Sequence, residues 1–310
     1  MEEILILILA IAIDLVFGEP PSILHPVVWM GKFTSLIERL TPGRGSLAQL
    51  IYGAGAVLLA VSLFAIPIYF LLPYLRELSQ AAYVIVGALV LKSTFSVREL
   101  RRVAHEVKGL LIADNLHGAR AAMRSLVSRD TSGLDKPLLV SATVESVAEN
   151  TCDSFVSPLF YFILFGLPGA IAYRVVNTFD AMIGYHGKYE YLGKFAARLD
   201  DALNFLPARL TSLMMAVAAF LLGKRFSATF RVILRDHAKT ESPNAGWTMS
   251  ATAGALNVQL EKKGHYILGD PNSLLLPETI DSSLRIMGIT ALLWGVVCFL
   301  VEVVYLAFVS

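Results

Sequence analysis

Six apolar runs, 4–17, 50–72, 81–97, 155–173, 205–222 and 286–309, punctuate the chain and are read as membrane helices, because roughly 17 to 25 apolar residues suffice to cross the hydrocarbon of a bilayer. The first carries Asp14 and passes directly into Gly18-Glu19-Pro20-Pro21. It lacks the small-residue cleavage site of a signal peptide and is read as a retained helix. Between the third and fourth runs the pattern becomes amphipathic. Phe95, Leu100, Val103, Val107 and Leu110, then Leu116, Ala119, Met123 and Leu126, recur at three- and four-residue intervals, the period of half-buried helices. A polar helical segment is therefore predicted over 98–154 and a polar loop over 224–285, with turns at Pro42-Gly43-Arg44-Gly45-Ser46 and Asp130-Thr131-Ser132-Gly133.

No internal repeat and no alternating strand pattern is present. The predicted fold class is all-α, a polytopic membrane protein forming one domain over 1–310. Pro158, Gly166, Pro168 and Gly169 interrupt the fourth run, and Pro207 with Arg209 interrupts the fifth. Broken or re-entrant helices are tolerated where they line a cavity; equally, Pro and Gly are common in membrane helices generally.

Composition agrees with a bilayer as solvent: 55% of residues are hydrophobic, 16% are charged, and the mean hydropathy is +0.62. The net charge of +1, with no basic run interleaved with aromatics, argues against a nucleic-acid partner. Lys and Arg concentrate at 92–136 and 224–263, which assigns both segments to the cytoplasmic side. Cys152 and Cys298 have neither the number nor the spacing of a disulfide framework or a zinc site.

Candidate chemistry lies in the polar segments. Glu145, Glu149 and Asp153 follow one another at four-residue intervals, an acidic stripe on a helix. Such a stripe suits Mg²⁺, which takes one or two carboxylates and leaves room for substrate phosphates. A solvated acidic face is the ordinary alternative, but this stripe enters an apolar run, where unpaired carboxylates are expensive. Asp201 and Asn204 stand one turn apart, with Arg209 beyond them. They offer a second metal or phosphate site, or Arg209 locks against Asp201. Asn177 and Asp180 follow an apolar run, as site residues or helix caps. Glu19 and His25 share a Pro-punctuated stretch with Asp14 and Lys32, and are candidate ligands or proton carriers. Ser242-Pro243-Asn244-Ala245-Gly246-Trp247 presents hydrogen-bonding groups and a flat aromatic, or is simply a turn. No Walker A loop, HExxH or nucleophile elbow occurs.

Taken in order, Gly18-Glu19-Pro20 with His25-Pro26, Glu145 to Asp153, Tyr173-Arg174 with Asn177-Thr178 and Asp180 to Tyr185, Asp201 with Asn204 and Pro207-Ala208-Arg209, and Ser242 to Trp247 resemble the CbiB/CobD family. These are the adenosylcobinamide-phosphate synthases of cobalamin (vitamin B12) biosynthesis. Thr248-Met249-Ser250 departs from the Pro- and Ala-rich continuation expected after Trp247. The resemblance implies a multi-pass cell-membrane ligase with a cytoplasmic active site. It would use ATP and Mg²⁺ to join a carboxylate of adenosylcobyric acid, a corrinoid, to the amine of aminopropanol phosphate.

On that reading Glu145, Glu149, Asp153 and Asp201 are metal candidates, and Glu19 or His25 takes a proton from the amine. Arg174, Asn177, Asp180, Tyr185, Asn204, Arg209, Ser242, Asn244 and Trp247 bind substrate or phosphate. Phe179, Tyr185 and Trp247 would support the corrinoid, although Phe179 also fits a core. The implied partners are the two substrates, the bilayer and other late enzymes of the pathway. A transporter of a corrinoid or other small molecule is the rival reading, and predicts inverted repeats that are absent. A non-catalytic sensor would have lost the acidic stripe, which is intact. If all six runs crossed, Asn177, Asp180 and Asp201 would lie opposite the other motifs. We therefore expect runs four and five both to turn back, or to stay in the membrane without changing side.

Overall fold

The computed structural model describes residues 1–43, 45–127, 129–185 and 187–309, so that Arg44 of the first predicted turn lies outside the described residues. The helices in chain order are α1 (Glu2–Phe17), α2 (Pro26–Arg39), α3 (Ser46–Leu78), α4 (Gln80–Lys92), α5 (Val97–Ile112), α6 (Leu116–Met123) and α7 (Lys136–Thr151). A π turn, Cys152–Val156, leads into α8 (Ser157–Ile183); α9 (Lys194–Leu221), α10 (Phe226–Asp236) and α11 (Ala245–Leu256) follow. Strands β1 (Gln259–Lys262) and β2 (Tyr266–Gly269) precede α12 (Pro277–Val309). Among the described residues five stretches, Ser46–Leu78, Gln80–Ile112, Lys136–Ile183, Lys194–Leu221 and Pro277–Phe308, are long and apolar enough to cross a membrane. The protein is an all-α polytopic membrane protein.

The chain divides into two compact units, each assembled from separate segments. Unit 1 comprises Met1–Ser96, Ser157–Asn204 and Val297–Ser310; unit 2 comprises Val97–Val156 and Phe205–Val296.

In unit 1, α1 and α4 lie side by side and parallel. Near their first turns the Tyr83 hydroxyl donates to Glu3, and at their last turns Lys92 meets Asp14 at 3.2 Å. Gly87 permits the approach, since a Cβ there would stand 2.7 Å from Ile6. Helix α3 runs the other way, so Arg76 near its end reaches Glu2 at 2.8 Å. The third predicted run, 81–97, stops early because α4 ends at Lys92 and a turn follows.

Helix α8 is two helices folded against each other. Gly166 has φ 64° and ψ −161°, a combination essentially reserved for glycine. The rings of Tyr161 and Tyr173 stack with centroids 5.3 Å apart, whereas twelve residues of straight helix would separate them by about 18 Å. The fourth run is thus a helical hairpin, as its Gly and Pro residues suggested. The fifth is not broken: α9 continues through Pro207. Proline deprives the carbonyl four residues earlier of its N–H donor. That carbonyl, Leu203, receives the Tyr161 hydroxyl at 2.8 Å instead.

Unit 2 is centred on α7, buried along nearly its whole length; the Ser141, Thr143 and Thr151 hydroxyls that this buries all donate hydrogen bonds, as burial of polar groups requires. Around it pack Leu100, Ala104, Val107 and Leu111 of α5, Ala119 and Met123 of α6, and Ala251, Ala253 and Ala255 of α11. The predicted loop 224–285 holds α10, α11 and an antiparallel β-hairpin, with Gln259 opposite Gly269 and Lys262 opposite Tyr266. Only Leu260 and Leu268 of the strands are deeply buried, too short an alternation to register as a strand pattern. Ser141 of α7 accepts the Glu261 N–H at 2.8 Å and anchors the hairpin.

Candidate functional site

At one end of unit 1 four ionisable groups converge. His25 caps α2: its Nδ1 accepts the Val27 N–H at 3.2 Å. The proton therefore sits on Nε2, which donates to Glu19 at 2.7 Å. The other Glu19 oxygen meets Lys92 Nζ at 2.9 Å, and Lys92 also reaches Asp14. Lys92 is only 3% and Asp14 only 1% exposed. Burial alone would raise the Glu19 pKa. Hydrogen bonds from His25 and Lys92, and the charge on Lys92, outweigh it and lower the value from 4.5 to about 2.

This geometry argues against the expected proton-accepting roles. Both His25 nitrogens are engaged, and a carboxylate titrating near 2 is a weak base. A depressed folded-state pKa gives stability that is complete above about 4.5 and is lost as pH falls toward about 2. The melting temperature is accordingly expected to drop across that window. Glu19→Gln should melt lower at neutral pH and show a flatter acid limb; parallel curves for the two proteins would contradict the assignment.

Deeper in unit 1, the α8 hairpin and the start of α9 enclose a continuous polar network. Ser157 and Tyr173, from opposite arms of the hairpin, both donate to Asn204 Oδ1, at 2.6 and 3.0 Å. The Asn204 amide donates to Asp200 at 2.9 Å, the Asn177 amide donates to Asp200 at 3.3 Å, and Arg174 donates to Asn177 at 3.0 Å. Of the predicted residues, Arg174, Asn177 and Asn204 are thus brought together, with Asp201 next along α9. Asp200, Ser157 and Tyr173 join them unforeseen. Asp180 lies at the end of the hairpin, where its carbonyl accepts the Gly184 N–H at 2.7 Å. Tyr185 is 43% exposed and turns back to the Ala181 carbonyl. Phe179 is fully buried against Phe33 and offers no surface to a corrinoid.

In unit 2, Glu145 is held by three partners rather than presented to a metal. Arg129 stands at 3.1 Å, the Ser141 hydroxyl at 2.7 Å and the Tyr266 hydroxyl at 3.0 Å. Burial and the Glu145 charge push the Tyr266 phenol far upward, which keeps it a donor. Glu149 remains partly exposed on α7, but Asp153 falls in the π turn, so the four-residue stripe does not continue in α-helical register. Among the described residues no group of three or more His, Cys, Asp or Glu side chains is placed to hold a metal ion.

A second cluster in unit 2 joins Arg209 to the 242–247 turn. The guanidinium lies over the rings of Phe205 and Trp247, 3.6 and 4.7 Å from their centroids. It donates to Asn244 Oδ1 at 3.1 Å. His237 packs on the other aromatic partner, its ring 4.2 Å from that of Trp247. Ser242 closes the turn ahead of α11, its hydroxyl accepting the N–H groups of Asn244 and Ala245 at 3.2 and 3.4 Å. The segment is therefore a turn that also brings Asn244 and Trp247 against Arg209. His237 and Phe205 were missed because a lone His and an apolar-run Phe carry no signal without the fold.

Residues 7–303 match the CobD/Cbib protein family. The "Cobalamin biosynthesis protein CobD" of Dehalococcoides mccartyi (strain CBDB1) is 52% identical over 307 residues, covering 99% of each chain. A "Probable cobalamin biosynthesis protein CobD" of Methanothermobacter thermautotrophicus is 42% identical over 295 residues, covering 95% of this chain and 96% of its own. That of Thermococcus kodakarensis is 40% identical over 302 residues, covering 96% and 95%. No solved structure matches. From end to end, this chain belongs to the CobD/Cbib protein family.

Proposed function

We propose that this protein forms an amide bond in cobalamin biosynthesis, joining adenosylcobyric acid to aminopropanol phosphate, with ATP and Mg²⁺, to give adenosylcobinamide phosphate. The observation that carries this reading is similarity over the whole chain to proteins named for cobalamin biosynthesis. A carboxylate is a poor acyl donor. Transfer of the terminal phosphoryl group of ATP to it gives an acyl phosphate and ADP; the amine then attacks the carbonyl, loses a proton and expels phosphate.

Arg209, with its aromatic supports and Asn244, offers a fixed guanidinium fork suited to phosphate. Trp247, whose ring meets both Arg209 and His237, is assigned to positioning that guanidinium rather than to a corrinoid face. Arg174 and Asn177 are assigned to phosphate and polar substrate groups, with Asp180 and Asp201 beside them. Glu149 and Asp153 would hold Mg²⁺, which would offset negative charge on the substrate phosphates. Glu145 is reassigned to holding Arg129, Ser141 and Tyr266 in place. Glu19 and His25 become positioning groups.

Incubating the purified protein with both substrates, ATP and Mg²⁺ should yield the amide, read by mass spectrometry; no product would overturn the reading. Glu149→Ala, Asp153→Ala and Arg209→Ala are each expected to lower turnover at least about 100-fold, the scale of lost transition-state electrostatics, while remaining folded. Near-normal turnover in all three would dismiss the assignment.

A cytoplasmic location for the Glu19–His25 end of unit 1 is supported by its charge. Lys32, Arg39, Lys188 and Lys194 stand on the α2 and 184–194 side, whereas Glu2, Glu3 and Glu77 with Arg76 mark the other. Tyr189→Cys should therefore be labelled from the cytoplasm; exclusively external labelling would refute this placement.

A further inference from the structure

Helix α2 carries three stripes, one of which its packing within unit 1 explains. Met30, Thr34 and Ile37 are buried within unit 1. Trp29, Leu36 and Leu40 are 45%, 50% and 62% exposed and form an apolar stripe, continued by Ile23 and Leu24 at 75% and 63%. Large apolar side chains displayed on an amphipathic helix of a membrane protein mark a helix lying in the bilayer interface. The third stripe is Lys32, Ser35 and Arg39, at three- and four-residue spacing.

These three residues, with Gly31, Leu36 and Met182, line an open pocket of about 450 Å³. Lys32 and Arg39 make no ion pair or hydrogen bond among the described residues. Glu38 stands next to Arg39, but its carboxylate is taken by Lys188 and by the Tyr189 hydroxyl, each at 2.7 Å. Hydrogen bonds from these two, ahead of a small opposing effect of burial, lower its pKa. Its carboxylate is thus engaged by two other donors, and toward Arg39 it acts as a neighbouring charge without a direct ion pair. Gly31 faces Met182 across the pocket, at a distance where even a Cβ would make an ordinary contact of 3.5 Å with its sulfur.

We propose that this pocket binds the phosphate headgroup of an anionic phospholipid. Two cations and a hydroxyl face the phosphate, and the neighbouring Trp29–Leu36–Leu40 stripe lies among the acyl chains. Phosphate is the chemistry that Lys and Arg together recognise. The adjoining apolar stripe selects a lipid over a free phosphate ester. The site is separate from the Glu19–Lys92 cluster and from the residues assigned to catalysis.

The test uses the full chain in nanodiscs of phosphatidylcholine doped with phosphatidylglycerol, with retained lipid read by native mass spectrometry. Lys32→Gln with Arg39→Gln is compared with wild type and with Lys263→Gln with Arg285→Gln, a pair of exposed cations elsewhere. Each basic group at an anionic surface contributes about a five-fold preference. The Lys32/Arg39 variant should therefore retain about 25-fold less phosphatidylglycerol than wild type, and the control pair should retain wild-type amounts. Equal retention by all three proteins, or equal loss in both variants, overturns the proposal. Inorganic phosphate and glycerol phosphate serve as competitors: failure to displace the lipid at millimolar concentration supports the lipid site, and ready displacement overturns it in favour of a free phosphate ligand. Thermal melting of each variant identifies any loss that comes from unfolding, and a variant that melts early is replaced by Lys32→Gln alone, expected to lose about five-fold.

Discussion

Lys92→Met is expected to destabilise unit 1 by about 3–5 kcal/mol, because removing one member of a buried ion cluster leaves the others charged and unmatched. Lys92 is 3% exposed and holds Asp14 at 3.2 Å and Glu19 at 2.9 Å. Without it both carboxylates must take up a proton or drag in water. The measurement is thermal unfolding in detergent near neutral pH. Neutralising the set together, in Asp14→Asn, Glu19→Gln and Lys92→Met, should recover much of the loss, since replacing all members of a buried ionic group is far cheaper than orphaning some. A single variant that melts like wild type would contradict the buried pairing.

Asn204→Leu should be nearly as damaging, at about 3–5 kcal/mol, because it removes the acceptor of two buried hydroxyls and a donor to a buried carboxylate. Ser157 and Tyr173 lie on opposite arms of the α8 hairpin and meet at that amide oxygen. Asp200 would lose its 2.9 Å donor at the same time. Adding Ser157→Ala and Tyr173→Phe to the Leu background should cost little more, or even restore stability, since groups without polar atoms need no partners. Strictly additive losses in the combined variant would argue that the three side chains are not one network.

How much of this was legible depends on the distance over which each residue finds its partner. The amphipathic period of α5 was plain because its buried face, Leu100 to Leu111, repeats within the helix. The hairpin in α8 was signalled by Gly166 and Pro168, which act on their own backbone. Pro207 sent the same local signal and misled, because the Leu203 carbonyl is served by Tyr161 from a different helix. Glu145 read as part of a metal stripe for a similar reason: Arg129 and Tyr266, which hold it, are remote in sequence. The shift at Asp153 comes from a π turn that residue spacing does not encode. Residue types thus located the chemistry, while the division between lock and site depended on tertiary partners.

The parallel pairing of α1 with α4 also has a consequence for how the chain is made. Asp14 is synthesised roughly 80 residues ahead of Lys92, which at ~5–20 residues per second is an interval of about 4–16 s. A lone carboxylate in a membrane helix costs about 2.5–3.5 kcal/mol to insert, and α1 has only 16 residues with which to offset it. The first helix is therefore poorly committed to the bilayer until the fourth emerges. The Asp14–Lys92 pair cannot form before the end of α4 has been synthesised.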